Sequence, residues 1–124
     1  MVEVTALTKE EAEHCPVRSV LTRVTGKWQM LILLALEGDE LRFGALKRKI
    51  GDVTQRMLTE NLRTLERDGH LTRTVHAGPP LAVSYALTPQ GLSLVGVLKP
   101  LVFWAAEHFD AIDASRVKVD AAKA

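Results

Sequence analysis

The chain has 124 residues, 47% of them apolar and 25% charged, with a net charge of +1, which is the composition of one ordinary globular domain able to bury a core without staples. Its single cysteine, Cys15, excludes an intrachain disulfide and fits a reducing compartment. The acidic start MVEVTALTKEEAEH has no apolar signal region and the longest unbroken apolar run is seven residues, Met30–Leu36, so a soluble cytoplasmic protein with no membrane partner is expected.

Thr8-Lys9-Glu10-Glu11 has the hydroxyl-to-carboxylate spacing of a capping box and predicts a short first helix. Pro16 can open a second helical stretch, in which Val17, Val20, Leu21 and Val24 recur at helical spacing. Gly26 separates it from 27–37. There the run MLILLAL is apolar all round, and its Leu, Met and Ala content favours a buried helix closed by Gly38. Phe43, Leu46 and Ile50 form the core stripe of a short helix whose other side is Lys47, Arg48 and Lys49. Gly51-Asp52 makes a tight break. Thr54 then caps a helix running to Asp68, with Leu58, Leu62 and Leu65 as its apolar stripe and Gly69 as its stop.

The period changes next. Leu71, Arg73 and Val75 alternate with Thr72, Thr74 and His76, and Val83, Tyr85 and Leu87 alternate with Ser84 and Ala86. Ala77-Gly78-Pro79-Pro80 between them predicts a hairpin with a stiff tip. Thr88-Pro89 opens a long helix over 88–112, with Leu94, Leu98, Leu101, Ala105 and Phe109 down one side, a bend expected at Pro100, and a flexible tail at 114–124. The expected fold class is mainly α with a small β-hairpin: one winged helix-turn-helix domain over 1–124, with its core at about 15–87 and helices at both ends.

The charge is uneven. Residues 42–73 hold eight basic residues (Arg42, Lys47, Arg48, Lys49, Arg56, Arg63, Arg67, Arg73) against Asp52, Glu60, Glu66 and Asp68, a local +4; residues 1–15 hold four glutamates against Lys9, a local −3. A concentrated basic stretch is the footprint of a polyanion-binding face, and a solvated mixed-charge surface is the plainer alternative. In helix-turn-helix geometry the N-terminal end of the second helix enters the major groove. Thr54, Gln55, Arg56, Thr59 and Arg63 are the residues suited to reading bases there. Gln can bond adenine twice, Arg can bond guanine twice, and a Thr methyl can pack on thymine. Arg42, Lys47, Arg48 and Lys49 suit phosphate contacts, which position without specifying, and Arg73 and His76 are the candidates from the strand. Glu60 speaks for the alternative of a merely solvated helix face, since a carboxylate near phosphates is repelled.

The stretch KWQMLILLALEGDELRFGALKRKI, followed by VTQRMLTENLRTLERDGHLTR, then PP and YALTPQG, resembles the HxlR-type winged-helix transcriptional regulators. The likeness runs from Cys15 to about His108 and rests on Cys-Pro, Gly-Lys-Trp at 26–28, Arg-Phe at 42–43, Arg-Met-Leu at 56–58 and Leu-Thr before the last helix. It implies a cytoplasmic homodimeric DNA-binding regulator, often a repressor, acting on a near-palindromic double-stranded operator. It also implies a dimer seam between terminal helices, here Val17, Leu21, Leu94, Leu98, Leu101, Trp104 and His108. Three departures stand out. Asp52 replaces the family's usual Gly, and Asp tolerates left-handed backbone better than most residues. The wing has one extra residue and no arginine after Pro79-Pro80. Pro100 is shifted along the last helix.

The resemblance further gives Cys15 a regulatory role as a sensor of electrophiles or oxidants. Its place at a helix start, with Arg18 one turn on, favours a thiolate, whereas a buried inert thiol is the competing reading. His14, His70, His76 and His108 are scattered without metal-ligand spacing, so no metal or cofactor is expected. Two rivals to the regulator remain: a winged helix used only for protein contacts, and a small thiol enzyme drawing on Cys15 and His14. No phosphate-cradling glycine loop, paired carboxylates or Ser/His/Asp arrangement supports an enzyme.

Overall fold

The computed structural model describes residue 5 and residues 8–124; Glu3, counted in the acidic start, lies outside them. The first helix, α1, spans Lys9–Glu13, and the Thr8 hydroxyl accepts a hydrogen bond from Glu11 N–H at 3.1 Å, as the capping-box spacing requires. Helix α2, Pro16–Ser19, is a single turn and then gives way to a 3-10 turn over Leu21–Arg23. This corrects the expectation of one helix through Val24. The stretch is rich in β-branched residues, and the hydroxyls of Thr22 and Thr25 bond back to the carbonyls of Arg18 and Leu21, which weakens a regular ladder. Val24, fully buried, pins the end of this segment to the core.

Helix α3, Lys27–Ala35, is the central element: Ile32 and Leu33 have no exposed surface, and Leu36 just beyond has almost none. Gly38 ends it at φ 79°, a left-handed conformation that favours glycine. A strand not foreseen from sequence follows, β1, Leu41–Arg42, too short to show a period. Helix α4, Phe43–Ile50, presents Leu46 to the core. In the turn to the next helix Gly51, at φ 97°, takes the left-handed conformation, so Asp52 has no need of it. Helix α5, Gln55–Arg67, is capped by Thr54, whose hydroxyl accepts from Met57 N–H at 3.1 Å. Leu58, Leu62 and Leu65 are at most 1% exposed, and burial of this kind stabilises by about 1.5–3 kcal/mol per side chain.

Strands β2, Leu71–His76, and β3, Ala82–Leu87, form the antiparallel wing, with Leu71 opposite Leu87 and His76 opposite Ala82. Strand β1 adds to the free edge of β3, so the expected hairpin is a three-stranded sheet of order β1-β3-β2. Helix α6 runs from Pro89 to Lys123 as one element of 35 residues, capped by Thr88. It therefore continues well past residue 112, through the part expected as a flexible tail. No glycine or second proline follows Pro100, and alanines at 111, 114, 121 and 122 carry the helix onward. Its first turns pack on α3 and β3, with Val95 and Leu98 in the core, while Leu101, Phe103, Trp104, Phe109, Val117 and Val119 beyond are exposed. By length and composition this helix could also cross a membrane. These elements, in this order, are a winged helix-turn-helix: α4, the Gly51 turn and α5, followed by the β2–β3 wing.

Candidate nucleic-acid interface

The order of burial along α5 defines the site. Thr54, Gln55, Arg56 and Met57 are all exposed at its start, and Leu58 is the first residue in the core. Thr59 is half-buried, and its hydroxyl donates to the Gln55 carbonyl at 2.8 Å, so its methyl is what remains for an apolar contact. Arg56 Nε donates to Glu60 Oε1 at 3.0 Å, one helical turn away, with 86% of the Arg56 side chain exposed. An exposed pair of this spacing contributes about 0.5 kcal/mol or less, so Arg56 can exchange Glu60 for another partner at little cost.

The basic run on α4 does not act as a block. Successive helical residues are turned by about 100° from one another, so three in a row cannot face one side. Arg48 is exposed and Lys47 half-buried, but Lys49 Nζ donates to the Ala35 carbonyl at 2.7 Å and lies 3.9 Å from Asp39. Lys49 therefore ties α4 to the end of α3, a bond that competes with the phosphate contact expected of it. Arg42, exposed, stands where β1 passes into α4.

On the wing, His76 Nε2 lies 2.8 Å from Ser84 Oγ, and the Ser84 hydroxyl donates to Glu40 Oε1 at 2.7 Å. His76 is thus engaged with the sheet through Ser84, expected from sequence only as an alternating strand residue, and through it with Glu40, which sequence did not single out. Their signal is the strand register, which no local pattern carries. Arg73 is exposed on β2 opposite Tyr85, and Arg63 is exposed in the third turn of α5. The wing tip, with a cis Pro79–Pro80 peptide bond and Leu81 largely exposed, has no charged residue anywhere from 77 to 89.

Cys15 is buried at the N-cap of α2, and its carbonyl accepts from Ser19 N–H at 2.7 Å. His14 turns its ring to the Glu10 carbonyl, with Nδ1 at 2.9 Å. Among the described residues no three His, Cys, Asp or Glu side chains converge as a metal-holding group. Of the residues expected at a dimer seam, Leu21, Leu101, Trp104 and His108 are exposed, and Val17 and Leu94 are half-buried. Leu98, 6% exposed, is corrected: it belongs to the protein's own core, because it lies on the part of α6 that packs on α3. Trp104 and His108 stack with ring centroids 4.2 Å apart.

The family model described as HxlR-like helix-turn-helix matches residues 23–113. The HTH-type transcriptional regulator YtfH of Escherichia coli K12 is 44% identical over 93 residues, 75% of this chain and 74% of that relative. Among solved structures, the transcriptional regulator ytfH from Salmonella typhimurium is similar with a TM-score of 0.79 at 36% identity, covering 94% of this chain and 98% of that one. The redox regulator HypR in its reduced form has a TM-score of 0.74 at 32% identity, over 80% of this chain and 98% of that one.

Proposed function

The chain belongs to the HxlR-like helix-turn-helix family of transcriptional regulators, and from that premise we propose that it is a cytoplasmic repressor acting as a homodimer on a near-palindromic operator. One α5 from each protomer enters the major groove, the two about one DNA turn apart, roughly 34 Å. The observation that carries this reading is the division of α5: its leading turn, Thr54–Met57, stands in solvent while Leu58, Leu62 and Leu65 anchor the rod from behind. Gln55 and Arg56 then read base edges, Thr59 offers its methyl, and Lys47, Arg48 and Arg42 hold the backbone.

The dimer reading is supported by the apolar side chains that α6 leaves exposed from Leu101 to Val119, together with Leu21 near the N-terminus. A second copy laid along them would remove an apolar surface that monomeric soluble proteins rarely display. Regulation is assigned to Cys15, in keeping with the redox regulator HypR among the similar structures. A quinone would add to its sulfur without net redox change, and hydrogen peroxide would give a sulfenic acid and water. Because the thiol is buried, either reaction needs local opening of the Cys15–Ser19 turn, which would shift the N-terminal part of the seam.

Footprinting of the purified protein on the DNA upstream of its own gene, at two salt concentrations, tests the main reading. A protected inverted repeat whose occupancy falls steeply with salt is expected; no protection at any site would overturn it. Operator affinity of wild type and Cys15→Ser, with and without a quinone or peroxide, tests the sensor, which falls if both proteins respond identically.

A further inference from the structure

Thr59, Arg63 and Glu66 lie four and three residues apart on α5 and so share one of its faces. Across the wing, Arg73 pairs directly with Tyr85, which puts those two side chains on one face of the sheet. The five residues line a single cleft of about 330 Å³ between helix and sheet. Tyr85, only 8% exposed, supplies its buried wall, while Arg63 and Arg73 are open to solvent.

Lys27, Lys49 and Arg56 each have a carboxylate partner. Arg63 and Arg73 are not among the ion-paired cations of the described residues, although Glu66 lines the same cleft. Two guanidinium groups against one carboxylate leave a net positive charge, and the planar guanidinium fork fits the oxygens of a phosphate.

Reach decides which phosphate. Eight residues separate Gln55 from Arg63, an advance of about 12 Å along the helix axis. The major groove is itself about 12 Å wide. With Gln55 at the base edges, Arg63 stands at the rim of the groove, among phosphates and beyond the bases. We propose that Arg63 and Arg73, one from the helix and one from the sheet, clamp a single phosphodiester of the strand bordering the groove, and that Arg63 reads no base. The clamp gives the wing a part in DNA binding that its uncharged tip cannot supply. It rests on the operator-binding reading above.

The test places one neutral methylphosphonate at a time along the footprinted operator and measures affinity for wild type, Arg63→Gln and Arg73→Gln. At one rim position per half-site the wild type should lose about tenfold. Each variant should bind operator and unrelated duplex more weakly by the same factor and should lose less than the wild type to the neutral linkage at that one position, where the double variant should be indifferent. Unchanged melting temperatures would separate a lost contact from a lost fold, and Arg63→Lys, which keeps the charge without the fork, should fall between. The proposal is overturned if Arg63→Gln alters preference at one base pair, or if the two variants lose their sensitivity at different phosphates. A protein that protects no operator at all overturns instead the reading on which the clamp rests.

Discussion

A β-carbon placed on Gly91 would lie 2.1 Å from the carbonyl oxygen of His70. The first turn of α6 thus runs against backbone, and the junction is bonded there as well. Thr88 N–H donates to that same carbonyl at 3.0 Å, the Thr88 hydroxyl donates to Gly69 O at 2.6 Å, and Gln90 Nε2 donates to Asp68 O at 2.9 Å. Through these contacts the end of α5 is fixed to the start of the last helix. Gly91→Ala should cost about 1–3 kcal/mol, because a carbonyl cannot swing aside as a side chain can. Gly96 is the control, exposed on the same helix, where a β-carbon would meet nothing within 4 Å. Gly96→Ala should stabilise by up to about 1 kcal/mol. Urea unfolding of the two variants beside wild type measures both; equal effects would mean the junction yields freely.

The Arg56–Glu60 pair predicts opposite results for its two members. Arg56→Ala should cost about 1–3 kcal/mol of operator binding and relax preference at one base pair. Glu60→Gln removes a negative charge near phosphates and frees Arg56, so affinity should rise several-fold on operator and unrelated DNA alike. Lys47→Ala should weaken all duplexes by one factor, since a phosphate contact carries no sequence information. Binding isotherms on the operator, a point-mutated operator and an unrelated duplex separate the three. A uniform loss from both Arg56→Ala and Lys47→Ala would contradict their different roles.

Residues governed by local chemistry were legible in the sequence. The Thr8, Thr54 and Thr88 caps, the Leu58-Leu62-Leu65 stripe and the two wing strands follow from spacing within one turn or one strand. What escaped depends on partners distant in the chain. Strand β1 exists because Leu41 and Arg42 meet Tyr85 and Ser84, more than forty residues away, and two residues have no readable period. Lys49 looked like its neighbours until the Ala35 carbonyl claimed it. The reach of α6 past residue 112 was obscured by its charged and small residues, which resemble a fraying end in composition yet include good helix formers.

Ser84 is 3% exposed and bridges His76 to Glu40. The bridge joins the outer end of β2 to the segment entering β1, so it restrains the wing relative to the helix-turn-helix. Ser84→Ala removes both bonds, but His76 and Glu40 are exposed enough to regain water. The cost in stability should therefore be modest, about 1 kcal/mol. The larger effect should be local: amide exchange of β2 and β3 near His76 and Ala82 should quicken while α3 keeps its protection. Equal acceleration in α3 would show that the bridge supports the whole domain.

Leu98 and Leu101 are three residues apart on α6 but 6% and 49% exposed respectively, so the helix passes from core to open surface between them. Leu98→Ala should destabilise each protomer by about 2–5 kcal/mol, as large-to-small changes in a packed core do. Leu101→Glu and Trp104→Glu remove little from the protomer's own core. They should leave the far-ultraviolet spectrum unchanged while shifting sedimentation from dimer to monomer. Operator affinity should fall with them, because a lone protomer engages only one half-site and loses the effective concentration that a linked second site supplies. Since α6 also has the length and composition to cross a bilayer, sedimentation should be repeated with phosphatidylcholine vesicles. A wild type that is monomeric without vesicles and pellets with them would assign the exposed half of α6 to lipid rather than to a second copy. A dimer indifferent to vesicles, broken by Leu101→Glu, would place the seam where the apolar surface of α6 lies bare.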